Sequence, residues 1–95
     1  MISFTVRFRF APEDRAEIRS ILEKLGSASR QEPGCTNYIA HSLDSDPDVI
    51  VIYEQYRDAE ALEAHRASEH FQQYALDGLY RKMRERTVET LLEIA

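Results

Sequence analysis

The 95-residue chain has no tryptophan, a single cysteine, three glycines and three prolines. One cysteine closes no internal disulfide, so the fold must rest on an apolar core, and this thiol usage fits a reducing cytoplasm. With so little glycine and proline, a collagen-like or low-complexity chain is excluded. No apolar run approaches the ~20 residues of a membrane-spanning helix. The opening M-I-S-F-T-V-R-F-R-F places arginines where a signal peptide carries an unbroken apolar segment. The expectation is a cytoplasmic protein with no membrane association.

Positive charge is also scarce. Twelve Lys and Arg stand against seventeen Asp and Glu, net −5, and the basic residues are scattered. Nucleic acid needs a clustered basic face, so it is excluded as a partner, and the acidity serves solubility. There is no G-x-G-x-x-G, no P-loop, no C-x-x-C, no H-E-x-x-H and no G-x-S-x-G. Nucleotide, redox-dithiol, zincin and nucleophile-elbow chemistries therefore lose their signatures, and no metal is expected.

What is present is a set of clean periodicities in one domain, residues 1–95. Ile2, Phe4, Val6, Phe8 and Phe10 alternate with Ser3, Thr5, Arg7 and Arg9, the pattern of a half-buried strand. Pro12 with Glu13 and Asp14 opens a helix. Ile18, Ile21, Leu22 and Leu25 lie on one helical face, and nothing breaks that helix before about residue 31. Glu32-Pro33-Gly34 is a turn in which glycine supplies positive φ. Cys35–Leu43 and Val49–Tyr56 read as strands joined by a hairpin over residues 44–48.

The strand Val49–Tyr56 is apolar on both faces, which predicts cover on both. Two helices cover one face of a four-stranded sheet, so the other face is expected against a second copy in a two-fold dimer. Asp58 caps a helix over about 59–84. Ala61, Ala64, Ala67, Phe71, Tyr74, Ala75 and Gly78 form its apolar face, and Ser68 is placed to cap a second segment if the helix breaks near Ala67. Arg86–Ala95 completes the order β-α-β-β-α-β, an α+β, ferredoxin-like fold.

Chemistry-bearing residues are few. His65 and His70 point about 140° apart on an unbroken helix and share a ligand only if it breaks near Ser68. His65 and Glu69, four apart, pair an imidazole with a carboxylate, as a general base requires and as an exposed helical ion pair equally would. His41 is a third candidate, read on one strand face with Cys35, Asn37 and Ile39. Cys35 is either a nucleophile or a small buried side chain. Tyr53, Tyr56, Phe71, Tyr74 and Tyr80 either line an aromatic pocket or fill the core.

The runs S-R-Q-E-P-G-C-T-N-Y and D-P-D-V-I-V-I-Y-E-Q-Y-R-D-A-E-A-L-E-A-H-R-A-S-E-H-F resemble the antibiotic biosynthesis monooxygenase family over nearly the whole chain, about Met1 to Glu93. The joint signature is the E-P-G-C-x-x-Y turn, the strand carrying Glu54 and the A-L-x-x-H-x-x-S-x-H-F helix. The resemblance implies a dimeric α+β barrel. It also implies a small oxygenase that oxidises quinols, anthrones or related polyketide rings with O2 and no cofactor. Haem-degrading relatives use a tryptophan that this chain lacks, and Tyr56 stands where relatives often carry tryptophan.

On this basis His65 is the expected proton acceptor, with His70 a second polar pocket residue and Glu54 its partner. Asn37, Tyr53, Tyr56, Phe71 and Tyr74 are expected at the substrate, a small aromatic molecule. The alternatives are isomerisation of a phosphorylated sugar, for which Arg7, Arg9 or Arg66 would hold the phosphate, and a non-catalytic ligand-binding dimer.

Overall fold

The computed structural model describes all 95 residues. β1 (Ile2–Arg9) leads through a 3-10 turn (Pro12–Asp14) into α1 (Arg15–Arg30). β2 (Cys35–Leu43) and β3 (Asp46–Tyr56) form a hairpin. α2 (Ala59–Arg66), a π-helix (Phe71–Leu79) ending in one α-turn (Tyr80–Lys82), and β4 (Glu85–Leu91) complete the chain. The sheet order is β2-β3-β1-β4 with every neighbouring pair antiparallel. This is the ferredoxin-like α+β arrangement expected from the periodicities. No helix is long and apolar enough to cross a membrane.

The core forms where the alternation of β1 places it. Phe4, Val6 and Phe8 meet Ile18, Leu22 and Leu25 of α1, Tyr38 of β2, Ile52 and Tyr56 of β3, and Ala75 and Leu79 of the π-helix. Each large side chain removed from water in this layer stabilises the fold by about 1.5–3 kcal/mol. Ser3, Thr5 and Arg7 lie on the opposite face with Val51, Tyr53 and Gln55, their register partners on β3. Arg9 pairs with Asp46 at 3.1 Å and Glu85 at 3.7 Å.

The expected long helix is interrupted. Asp58 caps α2 by accepting from the Ala61 N–H at 2.8 Å, and α2 stops at Arg66 with its C-cap at Ala67. Ser68 then donates to the His65 carbonyl at 2.7 Å and accepts from the Phe71 N–H at 3.2 Å, so one hydroxyl closes one segment and opens the next. Beyond it the π-helix has a wider turn. Phe71, Ala75 and Leu79, four apart, face the sheet, whereas Ala64 and Ala67 are exposed and leave the apolar face assigned to a straight helix.

Two further expectations change in the turn before β2. Gly34 has no positive φ. Its role is close approach, because a Cβ there would lie 2.3 Å from the Ala61 Cβ. The register shifts between Cys35 and Asn37, so Cys35 pairs with Tyr56 and Asn37 with Gln55. One extra residue in a ladder flips the facing of every residue after it. Cys35 therefore packs against the core instead of sharing a face with Asn37, Ile39 and His41. Burial pushes its thiol up to about 11, which favours the buried side chain over a nucleophile. Strand β4 ends at Leu91, four residues before the end expected for it.

Candidate active site

His65 is a fully buried imidazole, at 2% exposure. It sits on the last turn of α2, pressed over the sheet. Its ring is flanked by Tyr38, Tyr56 and Phe71 at centroid distances of 5.8, 5.1 and 5.2 Å. The break at Ala67–Ser68 returns His70 to the same cluster, its ring 6.0 Å from that of His65. The two histidines that an unbroken helix would hold apart are neighbours.

Their common partner is Glu32, in the turn after α1. Its Oε2 accepts from His65 Nδ1 at 2.8 Å and His70 Nε2 at 2.5 Å. The expected partner of His65, Glu69, is exposed on the far side of the break. Since Glu32 fixes the proton on Nδ1, the neutral His65 carries its lone pair on Nε2. That nitrogen lies 3.7 Å from Glu54 Oε1. Burial lowers the His65 pKa from its ordinary value, opposed in part by the hydrogen bond and charge of Glu32.

Glu54, on β3, is the buried carboxyl of the cluster, 6% exposed. Burial pushes its carboxyl up to about 7, against the Tyr56 hydroxyl, which donates to Oε1 at 2.6 Å, and the charges of Arg66 and Arg86. Burial likewise raises the Tyr56 phenol, reinforced by the adjacent Glu54 charge. Near neutrality, desolvation thus favours an uncharged imidazole beside a carboxyl poised between its two forms. Such shifted pairs are characteristic of acid–base sites.

His65 and Glu54 face a cavity of about 40 Å³ between sheet and helices, lined also by Tyr38, Phe71, Tyr80, Arg66 and Arg86. The Arg86 guanidinium lies over the Tyr80 ring, 5.1 Å from its centroid. This volume suits water-sized guests and is well below the ~300 Å³ at which ligand pockets begin. A ring-sized guest therefore requires the π-helix or lining side chains such as Tyr80 and Arg86 to move. A larger cleft of about 790 Å³ runs between α1 and the β2–β3 hairpin and includes His41. Its polar lining is ordinary surface charge, with Arg15 tied to Asp48 at 2.9 Å, so the buried centre is the better place for proton transfer.

Of the residues expected at the site, His65, His70, Glu54, Tyr56 and Phe71 converge. Tyr74 packs on the core but does not line the cavity. Asn37 and Tyr53 do not reach it. Both lie on the sheet face turned away from the helices, where Asn37 donates to Gln55 at 2.9 Å and Tyr53 pairs in register with Thr5 and Ile39. Arg7 and Arg9 share that face, so of the expected phosphate-holding arginines only Arg66 reaches the cavity. Glu32, Tyr38, Tyr80 and Arg86 are the additions.

The profile of the family described as Antibiotic biosynthesis monooxygenase matches residues 1–75. The chain belongs to that family. Rv0793 of Mycobacterium tuberculosis, provisionally named a monooxygenase, is 32% identical over 73 residues, 77% of this chain and 71% of its own. The crystal structure of PA3566 from Pseudomonas aeruginosa superposes with a TM-score of 0.90 at 28% identity, covering 99% of this chain and 94% of that one. A structure described as an antibiotic biosynthesis monooxygenase superposes with a TM-score of 0.92 at 26% identity over all of both chains. The matched segment contains Glu32, Glu54, His65 and His70, so the whole cluster lies within the region shared with the family.

Proposed function

We propose that the chain is a cofactor-independent monooxygenase that oxidises a small quinol, anthrone or polyketide-like aromatic with O2. The observation that carries this reading is the orientation of His65. Glu32 holds the Nδ1 proton, leaving Nε2 as an acceptor facing an aromatic-lined cavity beside Glu54. A phenol or a ring CH2 made acidic by its neighbours gives its proton to Nε2, and Glu32 stabilises the imidazolium that forms. Arg66 and Arg86, which have no carboxylate partner within salt-bridge distance, offset the negative charge developing on the substrate oxygen.

The electron-rich anion is then the reductant of O2. For a ring CH2 becoming C=O, one oxygen atom enters the product and the other leaves as water with the two displaced hydrogens. All electrons come from the substrate, so no external reductant enters the balance. The protein binds, deprotonates and excludes bulk water. Half-exposed apolar side chains on the outer sheet face, Ile39 and Leu91, support a homodimer through that face. Static light scattering tests this, and a mass near 11 kDa at micromolar concentration refutes it.

The functional test uses metal-stripped protein with a panel of reduced naphthoquinols and anthrones, following O2 uptake and quinone formation. Anthrone turnover should consume one O2 per product, survive chelation and fall in His65→Ala. No rate above autoxidation across the panel overturns the reading. The unpaired Arg66 and Arg86 also favour one second reading, isomerisation of a small phosphorylated sugar, for which turnover would be independent of O2.

A further inference from the structure

We propose that Glu32, His65 and His70 form a binding site for one divalent ion of the zinc–cobalt–nickel type, and that this ion and proton acceptance by His65 exclude one another. The second half rests on the reading of His65 as base; the first does not. One carboxylate oxygen and two ring nitrogens lie within 4.8 Å of one another. They come from three separate segments: the turn after α1, the last turn of α2, and the residue just before the π-helix. The Ser68 hydroxyl fixes the break that brings the two imidazoles together.

The donor set selects the metal. Two imidazoles and one carboxylate suit borderline ions with room for solvent in the remaining position, whereas Mg2+ and Ca2+ take mostly oxygen. An outer-shell acceptor stands nearby, short of hydrogen-bond contact. A metal-bound histidine usually offers its other N–H to a carboxylate, and His65 Nε2 faces Glu54 Oε1 at 3.7 Å. Glu32 has no Lys or Arg partner, its only salt-bridge contacts being the two histidines. A largely buried carboxylate without a fixed cation is a natural place for one.

The present N···O separations of 2.8 and 2.5 Å are hydrogen-bond distances. Around an ion with bonds of about 2.0–2.1 Å they would open to roughly 3.3 Å in tetrahedral geometry. The adjustment falls on Glu32, which lies in a turn and not in a regular element. Entry is from the solvent side, since the side chains of His70 and Glu32 are 22% and 15% exposed. Neither residue lines the cavity, so the ion sits across the His65 ring from the substrate.

That placement gives the coupling. Binding at Nδ1 displaces the proton held toward Glu32, and the neutral ring then carries its proton on Nε2. The cavity-facing nitrogen changes from acceptor to donor. The site is thus an inhibitory one for base chemistry.

The test titrates full-length, metal-stripped protein with Co2+, reading visible d–d absorption, and with Zn2+ by equilibrium dialysis. The proposal expects one ion per chain, Co2+ displaced by Zn2+, and at least tenfold weaker binding in His70→Ala, a part-exposed change whose folding is checked by circular dichroism. His41→Ala, on the outer sheet face, should bind as wild type. Absence of a protein-dependent cobalt spectrum, or unchanged binding in His70→Ala, overturns the site. Zinc should suppress O2 uptake of wild type by tenfold or more at saturation, and His70→Ala should need at least tenfold more zinc for the same fractional suppression. Saturation without suppression overturns the mutual exclusion. Because the cobalt readout needs no turnover, failure of the oxygenase reading and failure of the metal site are separately visible.

Discussion

Replacing Glu54 by glutamine should change the pH dependence of stability more than its value at low pH. The carboxyl is 6% exposed, and burial pushes it from an ordinary 4.5 to about 7. An acid with a raised folded pKa binds more protons folded than unfolded between those values. Its destabilising contribution is therefore absent below about pH 4.5, grows as pH rises, and is complete above about 7. At 1.36 kcal/mol per unit, that penalty is about 3 kcal/mol. Glutamine keeps the acceptor for the Tyr56 hydroxyl but does not ionise. Urea denaturation of both proteins from pH 4 to 8.5 measures the difference directly. The advantage of Glu54→Gln should rise by about 3 kcal/mol across the range, on the order of 10–20 °C in melting temperature for a domain this size. His65, whose pKa is lowered, brings a slope of opposite sign that is present in both proteins and largely cancels. Parallel stability curves would show that Glu54 is solvated in solution and that the cavity beside His65 is wet.

The other expectations are more local. Gly34→Ala should cost about 1–3 kcal/mol by forcing Ala61 away, and Ala61→Gly should recover part of that loss in a double-mutant cycle measured by denaturation. Asp58→Ala should lower stability through loss of the α2 cap, measured by denaturation. Because the cap lowers the Asp58 pKa, its stabilisation is present above the unfolded carboxylate range and fades as pH falls through the folded value. Glu32→Gln should lower kcat by about 10²–10⁴-fold in the quinol or anthrone assay while the protein stays folded. Unchanged kcat in that variant would remove Glu32 from the orientation of His65.

The elements were legible because their signals are local. Alternation placed β1, spacing placed α1, and Asp58 and Ser68 announced their caps by residue type and position. The centre was half legible, since His65, Glu54 and Phe71 share one compact stretch with a recognisable pattern. Glu32 was not. It is 33 residues from His65, and no spacing rule links a turn to the end of a later helix. Glu69 took its place in the sequence reading because i,i+4 geometry assumes a continuous helix. Asn37 was misplaced by a similar assumption, that of a regular ladder. The shift between Cys35 and Asn37 leaves no mark stronger than Thr36, whose hydroxyl donates to Gln55 Oε1 at 2.8 Å across that irregularity.

The same helix break decides what the cluster can do. With α2 continuous through residue 70, His70 would point away and Glu32 would meet one imidazole, leaving a simple carboxylate–histidine pair. The break adds the second imidazole on the solvent side of the first, so one carboxylate serves two rings. A Ser68→Ala chain isolates this effect, since it removes both hydroxyl contacts at the junction, to the His65 carbonyl and the Phe71 N–H, and leaves the side chains of Glu32 and both histidines in place. Loss of a cap of this kind costs about 1 kcal/mol, small enough for the fold to survive and large enough to loosen His70. Cobalt affinity should then fall severalfold, while an enzyme whose base needs only the Glu32–His65 contact should keep kcat close to that of the wild type. Equal losses of cobalt binding and kcat would mean that His70 is required by both, and that the two rings act as a single unit in proton transfer.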